Sequence, residues 1–396
     1  MKKLVILLIF LQFYACGKKD IEKKVDYLIK AKDFDKAINI LDDKIKENPK
    51  DEIYRILKVK VYARSGNIDL AFKEYEKYFS LTNKINKELL KELSLSPLNA
   101  QISPYKFMVL LTLADFKKLP DDLKKITYNS LSDGDETVRV GACWLAGRQA
   151  IKEWDKDLIK LTSDGKNVVA WNAIWALGEI KDEKSLPYLS QLLDNAKDPA
   201  IITETINAIG KFRDKNSLIT LKRFLNHPGK NLSTASLAAV EYIEKGTIKD
   251  TFSFIKNQRD EQLMGFLYLL IGEYKQKDLY DEILSALKDK NRKFRENAIR
   301  TFGEIGDKKD FQILKPYLSS NNQVERIHAY FSAYKLGIDD HEIFKKGLDD
   351  SSIEIRRISA IALGQKRDKD IEKLLHDKLL KSSTLDRIYL GLALIQ

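Results

Sequence analysis

Cysteine is almost missing from this chain: Cys16 and Cys143 are the only two in 396 residues. No CxxC pair exists to hold zinc or run dithiol chemistry. Glycine (18) and proline (8) are scarce, which argues against disorder and against an all-β fold. The four histidines, His227, His328, His341 and His376, are scattered without metal-ligand spacing. A Walker loop, a nucleophile elbow and a calcium loop are all missing. Acidic pairs such as Asp121-Asp122 and Asp349-Asp350 fall at turns, where helix capping accounts for them. The apolar run Leu4–Leu11 is far below the roughly 20 residues that a bilayer span needs. These absences lead to the expectation of no metal, no cofactor and no enzymatic activity.

What the chain does have is a repeat. The 44% hydrophobic and 32% charged content suits amphipathic helices. From about residue 138 onward a pattern returns every 30 to 32 residues. A lead residue, Val138, Val169, Ile201, Leu232, Leu263, Phe294, Val324 or Ile355, is followed nine positions later by Gly147, Gly178, Gly210, Glu241, Gly272, Gly303, Ala333 or Gly364. Apolar positions lie between them at helical spacing, and a second amphipathic helix follows, as in Leu186–Leu193. A fixed period of this length marks stacked supersecondary units. The fold expected is all-α, a right-handed α-solenoid of stacked helix pairs.

The units Asn167–Ile180, Phe294–Asp307 and Ile355–Gly364 carry the pattern most fully, and they resemble HEAT repeats, particularly the short bacterial form also found in phycobilin lyases. The resemblance covers roughly residues 105–396, and the solenoid is placed at 104–396. Tyr105 to Leu131 fits as a degenerate first unit, with Phe107 and Phe116 at the nine-residue spacing. Two polar columns support the register: Asp182, Asp214, Asp307 and Asp368 at one turn, and Arg139, Arg295 and Arg356 early in the first helix. The resemblance implies that such residues bridge neighbouring units, so both columns are assigned to structure. The terminal Ile388–Gln396 makes only a first helix and is read as a cap on the unit before it.

Residues 21–82 repeat differently. Ala37 and Ala71 are 34 apart in matching contexts, Leu41 and Tyr75 follow each by four, and Pro49 follows Ala37 by twelve. This resembles the tetratricopeptide repeat, in which a small alanine lets two helices approach closely. The family's Trp and Leu-Gly positions are missing. Residues 83–103 read as a helical linker.

Residues 1–15 read as a secretory signal: Lys2 and Lys3, then Leu4–Leu11, then the small Ala15 before Cys16. The cysteine in this setting resembles the lipobox of bacterial lipoproteins, although Phe13 and Tyr14 replace the usual Leu and small residue. The resemblance implies acylation of Cys16, a lipidated tether over 16–20, and a cell-envelope address on a bacterial membrane. Removing Lys2 and Lys3 takes the formal charge from +11 to about +9. With Cys16 acylated no intramolecular disulfide remains, and Cys143 fits a buried apolar column.

Two surface features invite a functional reading. Trp144, Trp171 and Trp175 fall in adjacent units, with Trp171 in a polar column. They are either a partner-binding patch or a cluster covered by the degenerate unit or linker. The second feature is a basic stripe on the second helices, Lys222, Arg223, Lys315, Lys345 and Lys346. Second helices usually line the concave face of HEAT-like arrays, so the stripe is either a groove for an acidic glycan, lipid or protein segment or ordinary solvated lysine. The expected partners are envelope proteins, and the exported address argues against nucleic acid. The reading is a membrane-anchored protein-interaction scaffold, with a carrier for an acidic glycan or lipid as the alternative.

Overall fold

The structure is a computed structural model that describes residues 18–366 and 368–396. Cys16 and the whole signal segment therefore lie outside the described residues. Among those residues every regular element is a helix and none is a strand, as expected for an α-solenoid. Their contacts divide the chain into two compact units, residues up to 109 together with those from 367 onward, and residues 110–366. The array expected over 104–396 is thus divided, with its last two helices grouped with the N-terminal ones.

The first unit begins with helix α1, over 18–30, followed by α2 (Phe34–Glu47), α3 (Glu52–Arg64), α4 (Ile68–Thr82) and α5 (Lys87–Leu95). Ala37 and Ala71 are fully buried, and Ala37 and Leu41 pack with Val25, Leu28, Tyr54, Leu57 and Val61. The same unit holds α22 (Lys369–Lys381) and α23 (Thr384–Leu394). The terminal helix packs on the helix before it and is covered on another side as well. Helix α23 packs against both α22 and α5, and all its residues from Ile388 to Leu394 are buried. Polar contacts fix both helices there: Arg387 of α23 pairs with Glu76 at 2.6 Å, while on α22 Glu372 pairs with Lys87 at 2.8 Å and His376 Nε2 meets the Tyr75 hydroxyl at 3.0 Å. Burial holds the His376 imidazole below its ordinary pKa, which keeps it neutral against Tyr75.

The second unit is the repeat array. Its first helices are α8 (Glu136–Arg148), α10 (Asn167–Ile180), α12 (Pro199–Phe212), α14 (Lys230–Lys245), α16 (Glu261–Glu273), α18 (Arg292–Ile305), α19 (Gln323–Lys335) and α21 (Ile353–Gly364). Each stacks directly on the next. The second helices, including α9 (Asp155–Leu161), α11 (Leu186–Asn195), α13 (Leu218–Lys222), α15 (Lys249–Gln258), α17 (Tyr280–Leu287) and α20 (His341–Gly347), each pack against the first helix that follows. Helices α6 (Ser103–Ala114) and α7 (Asp121–Thr127) precede them in the chain.

Two residue columns explain why the units stack in this register. The turn aspartates cap as expected: Asp182 accepts from the Lys184 N–H, Asp214 from Ser217, Asp307 from Lys309, and Asp368 from Asp370 and Ile371. The arginines do not meet those aspartates. Arg139 instead donates to the carbonyls of Asp133 and Gly134 and forks onto Asp164, 2.9 and 3.1 Å away in the next inter-unit loop. Arg295 and Arg356 likewise clamp the two carbonyls five and six residues behind them.

Arg326 makes the same clamp, on Ser320 O, and it pairs with Asp350. It is therefore a fourth member of the column, and it corrects the register of its unit by one residue. The lead position there is Glu325, which is buried, whereas Val324 is 40% exposed. A carboxylate survives at an otherwise apolar position because Arg295 holds it at 2.9 Å and the Ser320 hydroxyl donates to it at 2.6 Å. The unit's endpoint moves correspondingly from Ala333 to Tyr334.

The column glycines serve close approach, not chain reversal. A Cβ on Gly178 would lie 2.9 Å from Ala208 Cα, and one on Gly303 would lie 2.9 Å from Ser332 Cα. The left-handed caps come later, at Lys181 and Arg213, neither of them glycine. Cys143 is free and fully buried, and burial pushes its thiol up to about 12, so it is a packing residue. Replacing Gly303 by valine is expected to cost about 1–3 kcal/mol or more through overpacking against backbone. Gly165→Ala, with no atom near its Cβ, should cost far less. Thermal melts of the two variants check this difference.

Candidate functional site

The first helices converge at their C-terminal ends. In the corrected register, the positions ten after the lead are Arg148, Glu179, Lys211, Tyr242, Glu273, Glu304, Lys335 and Gln365. Those six after it include Trp144, Trp175, Asn207, Arg300 and Phe331. Residues from distant repeats meet along these columns. Lys211 Nζ lies 2.6 Å from Glu179, one unit back, and 2.5 Å from Glu273, two units on. The Arg148 guanidinium lies 4.6 Å from the Phe331 ring, and Arg357 pairs with Asp115 at 2.7 Å. The Tyr334 hydroxyl also donates to the Asp115 carbonyl. Such contacts require the array to curl until its first and last units touch, with these columns on the inside.

The inner face is therefore built by first helices. This corrects the expectation that second helices line it. Of the basic stripe, Lys222 lies on α13 and Lys345 and Lys346 on α20, with Arg223 just past α13 and Lys315 at the start of a 3-10 turn, and most of its charge is spent locally. Lys222 pairs with Glu244 at 2.7 Å, Lys345 with Glu342 at 2.8 Å, and Arg223 with Asp194. Lys315 and Lys346 are exposed. Nothing gathers these five cations into a groove, and the reading of a glycan or lipid carrier loses its basis.

The tryptophans are brought together in part. Trp144 and Trp175 face each other at 5.5 Å, and Trp144 Nε1 donates to Asn172 Oδ1 at 2.6 Å. Trp175 lies over Gly147, where a Cβ would come within 2.6 Å of its ring. Val168, Trp171 and Trp175 share one face of α10 at helical spacing, and Val168 and Trp171 remain 50% and 36% exposed. Trp154 is separate, buried at 4% exposure with Tyr128 against it. The aromatic strip thus runs from an open edge at Val168 inward to Arg148.

Beside it lies a buried polar cluster that sequence reasoning missed. Glu204, Asn207 and Lys211 form one face of α12, and Tyr274 projects its hydroxyl against Gly210. Burial disfavours the Lys211 ammonium, yet Glu273 and Glu179 outweigh it and hold the lysine charged well above its ordinary range. Burial pushes the Glu204 carboxyl up to about 8, so it is neutral at pH 7. The Tyr274 hydroxyl and Asn207 Oδ1 are buried without a hydrogen-bond partner. Among the described residues no group of His, Cys, Asp or Glu is arranged to hold a metal. The signal for this cluster was the column ten after the lead, where charge recurs on otherwise apolar helices.

A stack of helix pairs built on such a period is an α-solenoid, and comparison with known proteins specifies which. The model for HEAT repeats matches residues 123–204, 156–243 and 248–333, more than half of the chain. The chain belongs to the HEAT-repeat family. No curated protein sequence matches it. Among solved structures it is similar to human deoxyhypusine hydroxylase in complex with glycerol, at 15% identity and TM-score 0.33, covering 69% of this chain and 95% of that one. It is also similar to the complex of CpcE and CpcF of phycocyanin lyase from Nostoc sp. PCC7120, at 16% identity and TM-score 0.32, covering 69% and 94%. A third is the Escherichia coli protein YibA, at 18% identity and TM-score 0.29, covering 63% and 93%.

The expectation of no enzymatic activity is withdrawn on this finding. Two of these solved structures carry enzyme names, so a HEAT-like array does not by itself exclude catalysis. At 15–16% identity the likeness concerns the fold and assigns this chain no reaction.

The Glu204 environment yields a pH-dependent outcome. Its carboxyl is raised from 4.5 when unfolded to about 8 when folded, so the unfolded chain loses this proton first. Stability is therefore progressively lost as pH rises from 4.5 toward 8. Glu204→Gln, which needs no proton, should melt higher than the parent. The gain should grow over that window and level off above it. Thermal melts between pH 5 and 9 measure it, and a pH-independent difference would count against the buried neutral acid.

Proposed function

We propose that this chain is a lipid-anchored envelope protein whose HEAT array binds other proteins through the aromatic edge of its inner face. One observation carries the binding reading. Val168 and Trp171 are open to solvent and continue into Trp175, Trp144 and Arg148, the residue types that dominate binding energy at protein interfaces. HEAT arrays, moreover, suit recognition because many equivalent helices present one extended surface. The anchoring reading rests on the sequence alone, on Lys2, Lys3, the Leu4–Leu11 run and Ala15-Cys16. On that reading the buried alanines Ala37 and Ala71 belong to two tetratricopeptide-like helix pairs held close to the membrane.

The binding reading is tested with a photo-cross-linking amino acid in place of Trp171 in living cells, compared with the same group at Ile219, which is 80% exposed on α13. A reproducible set of one or two envelope proteins captured from position 171 and not from 219 is the expected result. The same set from both positions, or none from 171, would sink it.

Anchoring is tested by Cys16→Ser. Loss of metabolically incorporated fatty acid and movement from the membrane to the soluble fraction are expected. Unchanged fractionation would reject the lipid anchor.

A further inference from the structure

We propose that the inner face carries a receptor for a single carboxylate, centred on Arg148, and that its occupant is an acidic side chain of a protein partner. The proposal rests on the protein-binding reading above and adds the chemistry that the partner must present.

Arg148 has five N–H donors and, among the described residues, no hydrogen bond to satisfy any of them. Its side chain is only 16% exposed, and its Nε is buried without a partner. Among the described residues its single ion pair is long, 3.9 Å to Asp115. That carboxylate is already taken by Arg357 at 2.7 Å, whose Nη1 also donates to Leu111 O at 3.0 Å. Glu273 lies within the field of Arg148 but is engaged by Lys211 at 2.5 Å. The guanidinium is stacked, 4.6 Å from the Phe331 ring centre and 5.6 Å from that of Trp144. A guanidinium held over a ring this way keeps its edge for bidentate contact with a planar acid.

A second cation reinforces the site. Lys335 lies 5.8 Å from the same Phe331 ring and pairs with Glu304 at 3.4 Å. Burial and the Arg148 charge together hold its ammonium below the ordinary lysine range. Arg148, Arg357 and Lys335 thus face Asp115 and Glu304, three cations against two carboxylates. Water could fill the open donors but would leave one charge uncompensated in a half-buried setting, which is costly. One surplus charge matches a carboxylate, and the rings of Trp144 and Phe331 beside it, with Trp175 next to Trp144, match an apolar residue beside the acid. A peptide segment supplies both.

The test uses phage-displayed random dodecapeptides selected on the detergent-solubilised full-length chain. The selected peptides should share an Asp or Glu next to an apolar or aromatic residue. Changing that acid to its amide should weaken binding to the wild-type chain at least tenfold. Arg148→Lys, which keeps the charge and loses the fork, should weaken the acidic peptide at least fivefold and the amide peptide hardly at all.

Because the peptide substitution is read on the unaltered chain, the result survives even if Arg148 variants fold poorly. Selected peptides without an acid, or an amide change worth less than twofold, would overturn the carboxylate site while leaving protein binding at Trp171 intact. Citrate alone changing the tryptophan fluorescence, with no peptide selected, would overturn the assignment to a protein segment. Failure of position 171 to cross-link would remove the protein-binding reading independently.

Discussion

The contact on which the 110–366 unit depends is the close approach of successive first helices at their C-terminal ends. Gly178 lies against the backbone of Ala208, and Gly303 against that of Ser332, at separations that leave no room for a methyl group. At the other end of the same helices, arginines such as Arg139 and Arg326 reach to inter-unit loops and hold the units by longer side-chain links. A stack that is pinched at one end and spaced at the other is a wedge, and repeated wedges curl. The curl brings Arg148 to Phe331 and Arg357 to Asp115, and so creates an inner face at all.

Once the helix ends converge, the residue just past each small position is forced into company it could not find in a straight array. Electrostatics then decides what can stand there. Lys211 is tolerated because two carboxylates from different repeats hold it, and those carboxylates are tolerated because of Lys211. Glu204 keeps its proton because burial outweighs the nearby Lys211 charge. Arg148 is the remaining case, a cation stacked on aromatic rings and short of acceptors. The inner face is therefore uneven: self-neutralised around α12, and electrostatically unsatisfied near Trp144.

Much of the array was legible from period and column alone. Lead residues such as Val138, Val169 and Ile355 are fully buried as the pattern requires, and the turn aspartates cap as their spacing implies. The error at Val324 arose because an apolar residue sits one position before a buried glutamate, and only the Arg326 clamp shows which of the two is in register. The basic stripe failed for a different reason. A lysine column shows charge but not the carboxylates that spend it, and Glu244 and Asp194 belong to neighbouring helices. Nor could sequence indicate the meeting of Arg148 with Phe331, since it depends on the accumulated curl of every unit between them.

The seam between Asp115 and Arg357 alters the thermodynamic character of the array. A linear solenoid is held by nearest-neighbour interfaces, so it can open from either terminus one unit at a time. Here Arg357 donates to Leu111 O across 246 residues of chain. Losing any middle repeat opens that closure as well as its two local interfaces, so the cost of a local defect is shared around the circuit. Assembly carries the corresponding kinetic burden, because the last link must wait for every earlier one. A circuit closed in this way is expected to unfold more nearly as one unit than a linear array of the same repeats, although its sequence reads as a string of interchangeable parts.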